Sequence, residues 1–166
     1  MKVQDVMTKD VKTCGPETNL SDAAMEMWMR DCGILPVVDD GGKVVGMITD
    51  RDIAIGTGCR RRDPATIFVR EVMTGQVHSC SPEADIHEAL QTMREKRVRR
   101  LPVIDGDGKL CGILSMNDVV LKAQEEGKAE ELCARDVQNT LKAICAHGVE
   151  TEQAAACAKV ETVSSR

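Results

Sequence analysis

The sequence predicts an α+β protein: two β-α-β-β-α units packed sheet to sheet, followed by a helical C-terminal tail. Three observations carry this reading. The segment Gly46-Met47-Ile48-Thr49-Asp50-Arg51-Asp52 returns as Gly112-Ile113-Leu114-Ser115-Met116-Asn117-Asp118, an offset of 66 residues. The same offset holds without a gap across residues 5–120. A unit of about 60 residues has a sheet too small to cover both of its faces, so two units must close on one another.

The shared residues run through each unit. Val6-Met7-Thr8 returns as Val72-Met73-Thr74, and Cys14, Pro16 and Glu17 as Cys80, Pro82 and Glu83. Leu35-Pro36-Val37 returns as Leu101-Pro102-Val103, and Asp39, Gly42 and Lys43 as Asp105, Gly108 and Lys109.

Each unit opens on a short extended piece, residues 11–13 and 77–79, which leads to Pro16 or Pro82. A helix follows, entered at Asn19 or Asp85 with Asp22 or Glu88 in capping-box position. Its apolar residues (Leu20, Ala23, Ala24, Met27; Ile86, Ala89, Leu90, Met93) recur at three and four, so one face is buried. Two strand-like stretches, 34–38 and 44–49, are joined by Asp39-Asp40-Gly41-Gly42, and their equivalents by Asp105-Gly106-Asp107-Gly108, giving a β-hairpin in each unit. A second helix begins at Asp50 and at Met116. Pro36 and Pro102 read as edge-strand or kink residues. Met7, Met27, Met47, Met73 and Met93 read as core filler.

The domain division is 1–60 for the first repeat, 61–70 for a linker, 71–125 for the second repeat and 126–166 for a helical extension. Gly58, Arg60-Arg61-Arg62-Asp63 and Pro64 mark the linker region as an exposed loop. Its arginine run is either a solvated turn or an arm for a phosphate or acidic partner. In the tail, Leu132, Val137, Leu141 and Ile144 form an apolar stripe, His147-Gly148 looks like a helix end, and 151–160 reads as an alanine-rich helix. The stripe packs either on the repeats or on a partner subunit.

Composition narrows the function. The 166 residues carry a formal charge of −5, which argues against general nucleic-acid binding. Trp28 and Phe68 are the only aromatics, so a planar ligand would be held by aliphatic side chains and backbone rather than by ring stacking. No stretch approaches the ~20 apolar residues of a membrane span. Met1-Lys2-Val3-Gln4-Asp5 has no apolar signal region, so the expectation is a soluble cytoplasmic protein. The eight cysteines contain no Cys-x-x-Cys pair, which speaks against a structural zinc and leaves reduced thiols as the expectation. Cys14 and Cys80, at equivalent positions, read as small buried apolar residues. Cys145-Ala146-His147 is weak evidence for a metal, and no metal site is expected. No Ser-His-Asp order, Walker loop or Gly-x-Gly-x-x-Gly is present, so no enzymatic activity, and no catalytic residue or cofactor, is expected.

The chemistry concentrates at Thr49-x-x-Asp52 and Ser115-x-x-Asp118, where a strand runs into a helix start. There a hydroxyl caps the helix, and an acceptor-only carboxylate matches two adjacent O–H donors. An acid in the first turn also favours the helix dipole, so a purely structural cap is the competing reading.

The tandem Val-Met-Thr, Leu-Pro-Val-(Val/Ile)-Asp and Gly-x-x-(Thr/Ser)-x-x-Asp motifs resemble a pair of CBS domains, the cystathionine-β-synthase repeat, which together form a Bateman module. The resemblance covers about residues 1–125 and leaves the tail aside. It implies a pseudo-two-fold disc with two grooves that bind AMP, ADP, ATP or S-adenosylmethionine as regulatory ligand. One groove would use Thr49, Asp52, Ile34 and Met47, with Val77, His78, Ser81, Val98 and Arg99 from the other repeat. The other would use Ser115, Asp118, Arg100, Leu101 and Ile113, with Val11, Lys12, Gly15, Cys32 and Gly33. Arg100 makes this second groove the expected place for a phosphorylated ligand. The function implied is a regulatory nucleotide sensor that acts on a protein partner in trans and forms a homodimer. A dimerising scaffold with non-functional grooves is the alternative.

Overall fold

The computed structural model describes residues 1–125 and 131–146. Helix α1 (Leu20–Met29), strands β1 (Ile34–Val38) and β2 (Val44–Thr49) and helix α2 (Asp50–Arg60) form the first repeat. Helix α3 (Ile86–Lys96), strands β3 (Arg100–Ile104) and β4 (Leu110–Ser115) and helix α4 (Met116–Lys122) form the second, and α5 (Ala134–Cys145) follows. The predicted α+β class and its internal symmetry are both present.

The two hairpins are near copies. Leu35 pairs with Ile48 and Leu101 with Leu114, and each hairpin has an irregularity at the same place, Val37/Val38 and Val103/Ile104. Gly42 and Gly108 take φ of 78° and 82° at the turns, a region open to glycine without a Cβ clash. The middle three residues of β1 and of β3 are all buried in a row, because helix covers one face and the other repeat covers the opposite one.

The extended opening piece of each unit is smaller than expected. Cys14 makes a single parallel bridge to Val37 and Cys80 one to Val103, so each sheet proper has two strands. A chain with Pro16 or Pro82 two residues on cannot continue a ladder.

The Val-Met-Thr segments cross between repeats. Thr8 and Ile113 exchange both backbone hydrogen bonds at 2.9 Å, and Thr74 does the same with Met47 at 3.1 and 2.9 Å. This explains a repeated glycine. A Cβ on Gly112 would stand 2.7 Å from the Thr8 carbonyl oxygen, and one on Gly46 3.1 Å from that of Thr74 and 2.7 Å from Met73 Sδ. Only a residue without a side chain admits the crossing strand.

The crossing also corrects the linker. Residues 61–66 are largely exposed, as expected, but Ile67 and Val69 are completely buried in the first core with Leu20, Leu35, Val37 and Ile48. Conversely, Val3 and Val6 are buried in the second core with Ile86, Leu90, Met93, Leu101 and Leu114. The arginine run folds back on the chain, with Arg60 donating to the Glu71 carboxylate at 2.7 Å and to its carbonyl at 2.8 Å. Those bonds account for Arg60, and Arg62 donates to the Thr66 carbonyl.

Helix α1 is capped by Asn19, whose side chain accepts from Asp22 N–H at 2.9 Å. At α3 the expected Glu88 partner is not used; Asp85 accepts from His87 N–H at 2.8 Å instead. The tail stripe packs on the repeats. Leu132 and Ile144 are buried in the second core, and Arg94 of α3 donates to the buried Thr140 hydroxyl at 3.2 Å. The expected helix at 151–160 and His147 lie outside the described residues. Met27 and Met93 are buried and Met7 and Met73 pack against the cores, as filler should. Pro36 and Pro102 lie within β1 and β3, on strands whose outer neighbours are the single bridges from Cys14 and Cys80.

Candidate functional site

Both Gly-x-x-(Thr/Ser)-x-x-Asp segments build the same strand-to-helix corner. Thr49 caps α2: its hydroxyl accepts from Asp52 N–H at 3.1 Å, while Asp52 Oδ2 accepts from the Thr49 N–H at 2.9 Å and its hydroxyl at 2.7 Å. Ser115 and Asp118 repeat the arrangement at α4, with the Ser115 N–H donating to Asp118 Oδ2 at 2.8 Å. The caps therefore exist, as the structural reading holds. They use one oxygen, Oδ2, of each carboxylate.

At Asp118 the other oxygen has a partner. The Thr8 hydroxyl donates to Asp118 Oδ1 at 2.9 Å. Among the described residues the equivalent Thr74 makes no such bond to Asp52.

Around Asp118 lies an open cleft of about 460 Å³, lined by Thr8, Asp10, Val11, Lys12, Arg30, Asp31, Cys32, Gly33, Ile34, Arg100, Ile113, Ser115, Asn117 and Asp118. That volume falls in the range of small-molecule sites. Both repeats contribute: residues 8–12 and 30–34 from one side, 100 and 113–118 from the other. Three cations and three carboxylates face it, so its charge is balanced.

Most residues expected for the second groove meet here. Ser115, Asp118, Arg100, Ile113, Val11, Lys12, Cys32 and Gly33 all line the cleft. Leu101 does not: it pairs with Leu114, and its side chain is fully buried in the core, on the strand face opposite Arg100. Gly15 is also absent from the lining and sits against Thr18, whose hydroxyl accepts its N–H at 3.1 Å. Of the residues expected for the first groove, Ile34 is the strand partner of Thr49 but also lines this cleft. Met47 is tied to Thr74, and Arg99 is exposed with its carbonyl accepting from Met116 N–H at 3.0 Å. Val77 and His78 are half-buried in the piece before Cys80. Val98 packs on the second core, and the Ser81 hydroxyl accepts from Glu83 N–H at 3.3 Å.

Sequence reasoning missed Thr8, Asp10, Arg30, Asp31 and Asn117. A signal for Thr8 was present, since a hydroxyl repeated at Thr8 and Thr74 has no core-packing reason to persist. Asp31 has φ of 50°, and its equivalent Arg97 has 53°, a left-handed turn just after α1 and α3; Asp31 lines the cleft.

Cys14 is buried as expected, whereas Cys80 is only partly buried, packed against the second core. Burial pushes both up to about 11, so neither is a thiolate near neutral pH. Among the described residues no group of three or more His, Cys, Asp or Glu side chains is arranged to hold a metal ion, and no helix is long and apolar enough to cross a membrane.

Two small sheets, four pseudo-symmetric helices and a cleft beside one of the duplicated strand-to-helix corners define a tandem-repeat module. The CBS domain family model matches residues 3–55 and 69–125, and the chain belongs to that family. It is 36% identical over 127 residues to the CBS domain-containing protein YhcV of Bacillus subtilis, covering 76% of this chain and 89% of that one. Two solved structures are similar. A CBS domain pair in complex with 5′-methylthioadenosine and S-adenosyl-L-methionine has a TM-score of 0.66 and 25% identity, over 73% of this chain and 94% of that chain. CBSX2 in complex with AMP has a TM-score of 0.63 and 29% identity, over 72% and 93%.

Proposed function

We propose that this protein is a regulatory module, without catalysis, that senses AMP, ADP, ATP or a related adenosyl compound such as S-adenosylmethionine and relays its state to a protein partner in trans. The observation that carries this is the cleft at Asp118, assembled from both repeats and floored by the cap carboxylate. Related CBS pairs hold AMP, methylthioadenosine and S-adenosylmethionine. A carboxylate oxygen has two lone pairs, so Asp118 Oδ1 can accept a ribose hydroxyl beside or in place of Thr8. Ile113, Ile34 and Val11 offer apolar walls to the base. In the counterpart groove Asp52 and Thr49 are the proposed equivalents, with Met47, His78 and Arg99 as the further candidates.

The relay follows from Thr8. Its segment carries Val3 and Val6 into the second core, and Val3 N–H donates to the Ala84 carbonyl just ahead of α3. A ligand that competes for Asp118 alters how tightly this segment is held, and α5 lies on α3. The ligand shifts the balance only by the difference in its affinity for the two arrangements. The test is a thermal-shift series with AMP, ADP, ATP and S-adenosylmethionine on wild type and Asp118→Ala. Stabilisation by at least one ligand that the variant loses supports the sensor; no shift with any ligand refutes it.

A second reading has its own observation. Trp28 is 84% exposed, and Met25 and Met29, three residues before it and one after on α1, are exposed as well. The α3 positions equivalent to Met25, Trp28 and Met29 are Gln91, Arg94 and Glu95. An apolar hollow of about 580 Å³ lies on this face. It suits a homodimer contact, and a dimer that forms without ligand and binds none would leave the scaffold role.

A further inference from the structure

The second repeat carries a helix where the first carries none. Helix α5 is seated on α3 and α4. Its stripe of Val137, Leu141 and Ile144, spaced by four and three residues, packs in one core with Ile86, Leu90, Val119 and Ala123. Asp136 stands 3.6 Å from His87, and Arg94 donates to Thr140, so the later residue of α5 meets the later residue of α3. At the offset of 66, the counterparts of these six α3 and α4 residues are Leu20, Ala24, Ile53, Thr57, Ser21 and Trp28. All six line the open hollow of about 580 Å³ on α1 and α2. Among the described residues no α-helix is seated there, and the turn at Pro64 borders it.

Two exchanges open the far end of this seat. Ala24 stands where Leu90 fills the second core, and Asp50 where Met116 does; Leu90 is fully buried and Met116 nearly so. A second hollow of about 390 Å³ lies here, sharing Ala24, Trp28 and Ile53 with the first and adding Asp31 and Asp50. Neither carboxylate forms an ion pair among the described residues, and Asp50 Oδ1 accepts from the Arg51 N–H at 2.7 Å. The counterparts on the occupied seat are Arg97 and Met116, so the acidic end belongs to the first repeat alone. An exposed indole beside two carboxylates suits a cation, drawn by charge and by the ring face.

We propose that this seat receives a helix of another protein, amphipathic like α5 and carrying Lys or Arg in its last turn. Its apolar stripe enters the hollow of Leu20, Ala24 and Ile53 as Val137, Leu141 and Ile144 enter theirs. Running in the direction of α5, its C-terminal end reaches Asp31 and Asp50, and a helix C-terminus itself favours a cation. A second copy of this chain fits less well. Docked by the same face across a two-fold axis it brings the same carboxylates, and Arg30 of α1 is held by Glu26 at 3.5 Å. This docking and the homodimer contact exclude one another. Asp31, Cys32 and Gly33 line both this seat and the Asp118 cleft, so the docked helix lies against a wall of the ligand site. The docking stands on shape and charge; its response to a ligand rests on the adenosyl-sensing reading above.

Trp28, the only tryptophan, reports on the seat. The probes are two synthetic peptides of residues 131–146, which carry the α5 stripe, both with Cys133→Ser and Asp136→Ser. One adds Cys145→Lys/Ala146→Lys and the other Cys145→Glu/Ala146→Glu. Each is titrated into the full chain, into Ala24→Leu, which installs the second repeat's own residue, and into Asp50→Asn, with melting temperatures as the check on folding. The expected result is a saturable blue shift of Trp28 emission with the lysine peptide and binding at least about tenfold weaker with the glutamate peptide. Ala24→Leu should weaken the lysine peptide by about tenfold or more, and Asp50→Asn should bring the two peptides within about threefold of each other. Equal affinity for the two peptides in wild type, no shift with either, or binding untouched by Ala24→Leu overturns the proposal. So does a wild-type dimer, seen by light scattering, that already covers Trp28 and yields to neither peptide. Lysine-peptide binding that AMP, ATP and S-adenosylmethionine all leave unchanged refutes the relay and spares the seat.

Discussion

The Thr8 hydroxyl reaches Asp118 Oδ1 at 2.9 Å, joining the sixth residue before the first repeat's bridge at Cys14 to the cap of the last repeat helix. Among the described residues it is the one side-chain hydrogen bond that links the segment of residues 3–8 to a cap carboxylate. Thr8→Val keeps shape and removes the donor. The expected cost is about 0.5–1 kcal/mol, because the pair is solvent-exposed, or roughly 1–4 °C in melting temperature. Ligand affinity at Asp118 should rise, since ribose no longer competes with a hydroxyl. A variant whose melting temperature and ligand affinity both match wild type would remove Thr8 from the relay.

Glycines separate the crossing strand from ordinary backbone. Gly112→Ala places a Cβ 2.7 Å from the Thr8 carbonyl, so the segment must move, and we expect a loss of about 2–3 kcal/mol. Gly58→Ala, inside α2 with nothing within 4 Å of the new Cβ, should stabilise by about 0.5–1 kcal/mol through helix propensity. Urea denaturation of the pair checks both signs; a Gly112→Ala protein as stable as wild type would contradict the crossing geometry.

Thiol reactivity follows burial. With a maleimide at pH 8, exposed Cys59 and Cys145 should label within minutes. Cys14 and Cys80, raised to about 11, should label only on unfolding. Peptide mapping by mass spectrometry reads this directly, and early labelling of the buried Cys14 would show that the first repeat opens in the native state.

The tail should be acid-sensitive. The His87 amide and ring and the N-terminal charge hold the Asp85 carboxyl below its ordinary value. At Asp136, burial pulls upward, but the Cys133 amide and thiol and His87 outweigh it and keep that carboxyl low as well. A depressed folded-state value gives stability that is fully present above the ordinary value of 3.8 and is lost as pH falls through the folded-state value. Denaturation midpoints should thus be flat above about pH 5 and fall below pH 4. Asp85→Asn/Asp136→Asn should flatten the acid limb; an unchanged limb would place the sensitivity elsewhere.

Duplication made most of the fold legible. The hairpin of Leu35-Pro36-Val37 with β2, the helix starts at Asp50 and Met116, and the pairing of Ser115 with Asp118 all follow from local patterns that occur twice. The crossing of Val3 and Ile67 into opposite repeats was not legible, because periodicity reports what lies on one face and never which partner covers it. Leu101 was misplaced for a related reason: strand alternation puts it on the face opposite Arg100, so neighbours in sequence serve core and cleft separately. Thr8 and Asp31 escaped because their roles depend on contact with the other repeat.

The most direct test of the central claim is calorimetric titration of AMP and S-adenosylmethionine into wild type and Asp118→Ala. The account predicts a saturable site for at least one ligand in wild type, and a loss of tenfold or more, about 1.4 kcal/mol, in the variant. Equal affinity in the two proteins, or no heat in either, would contradict it.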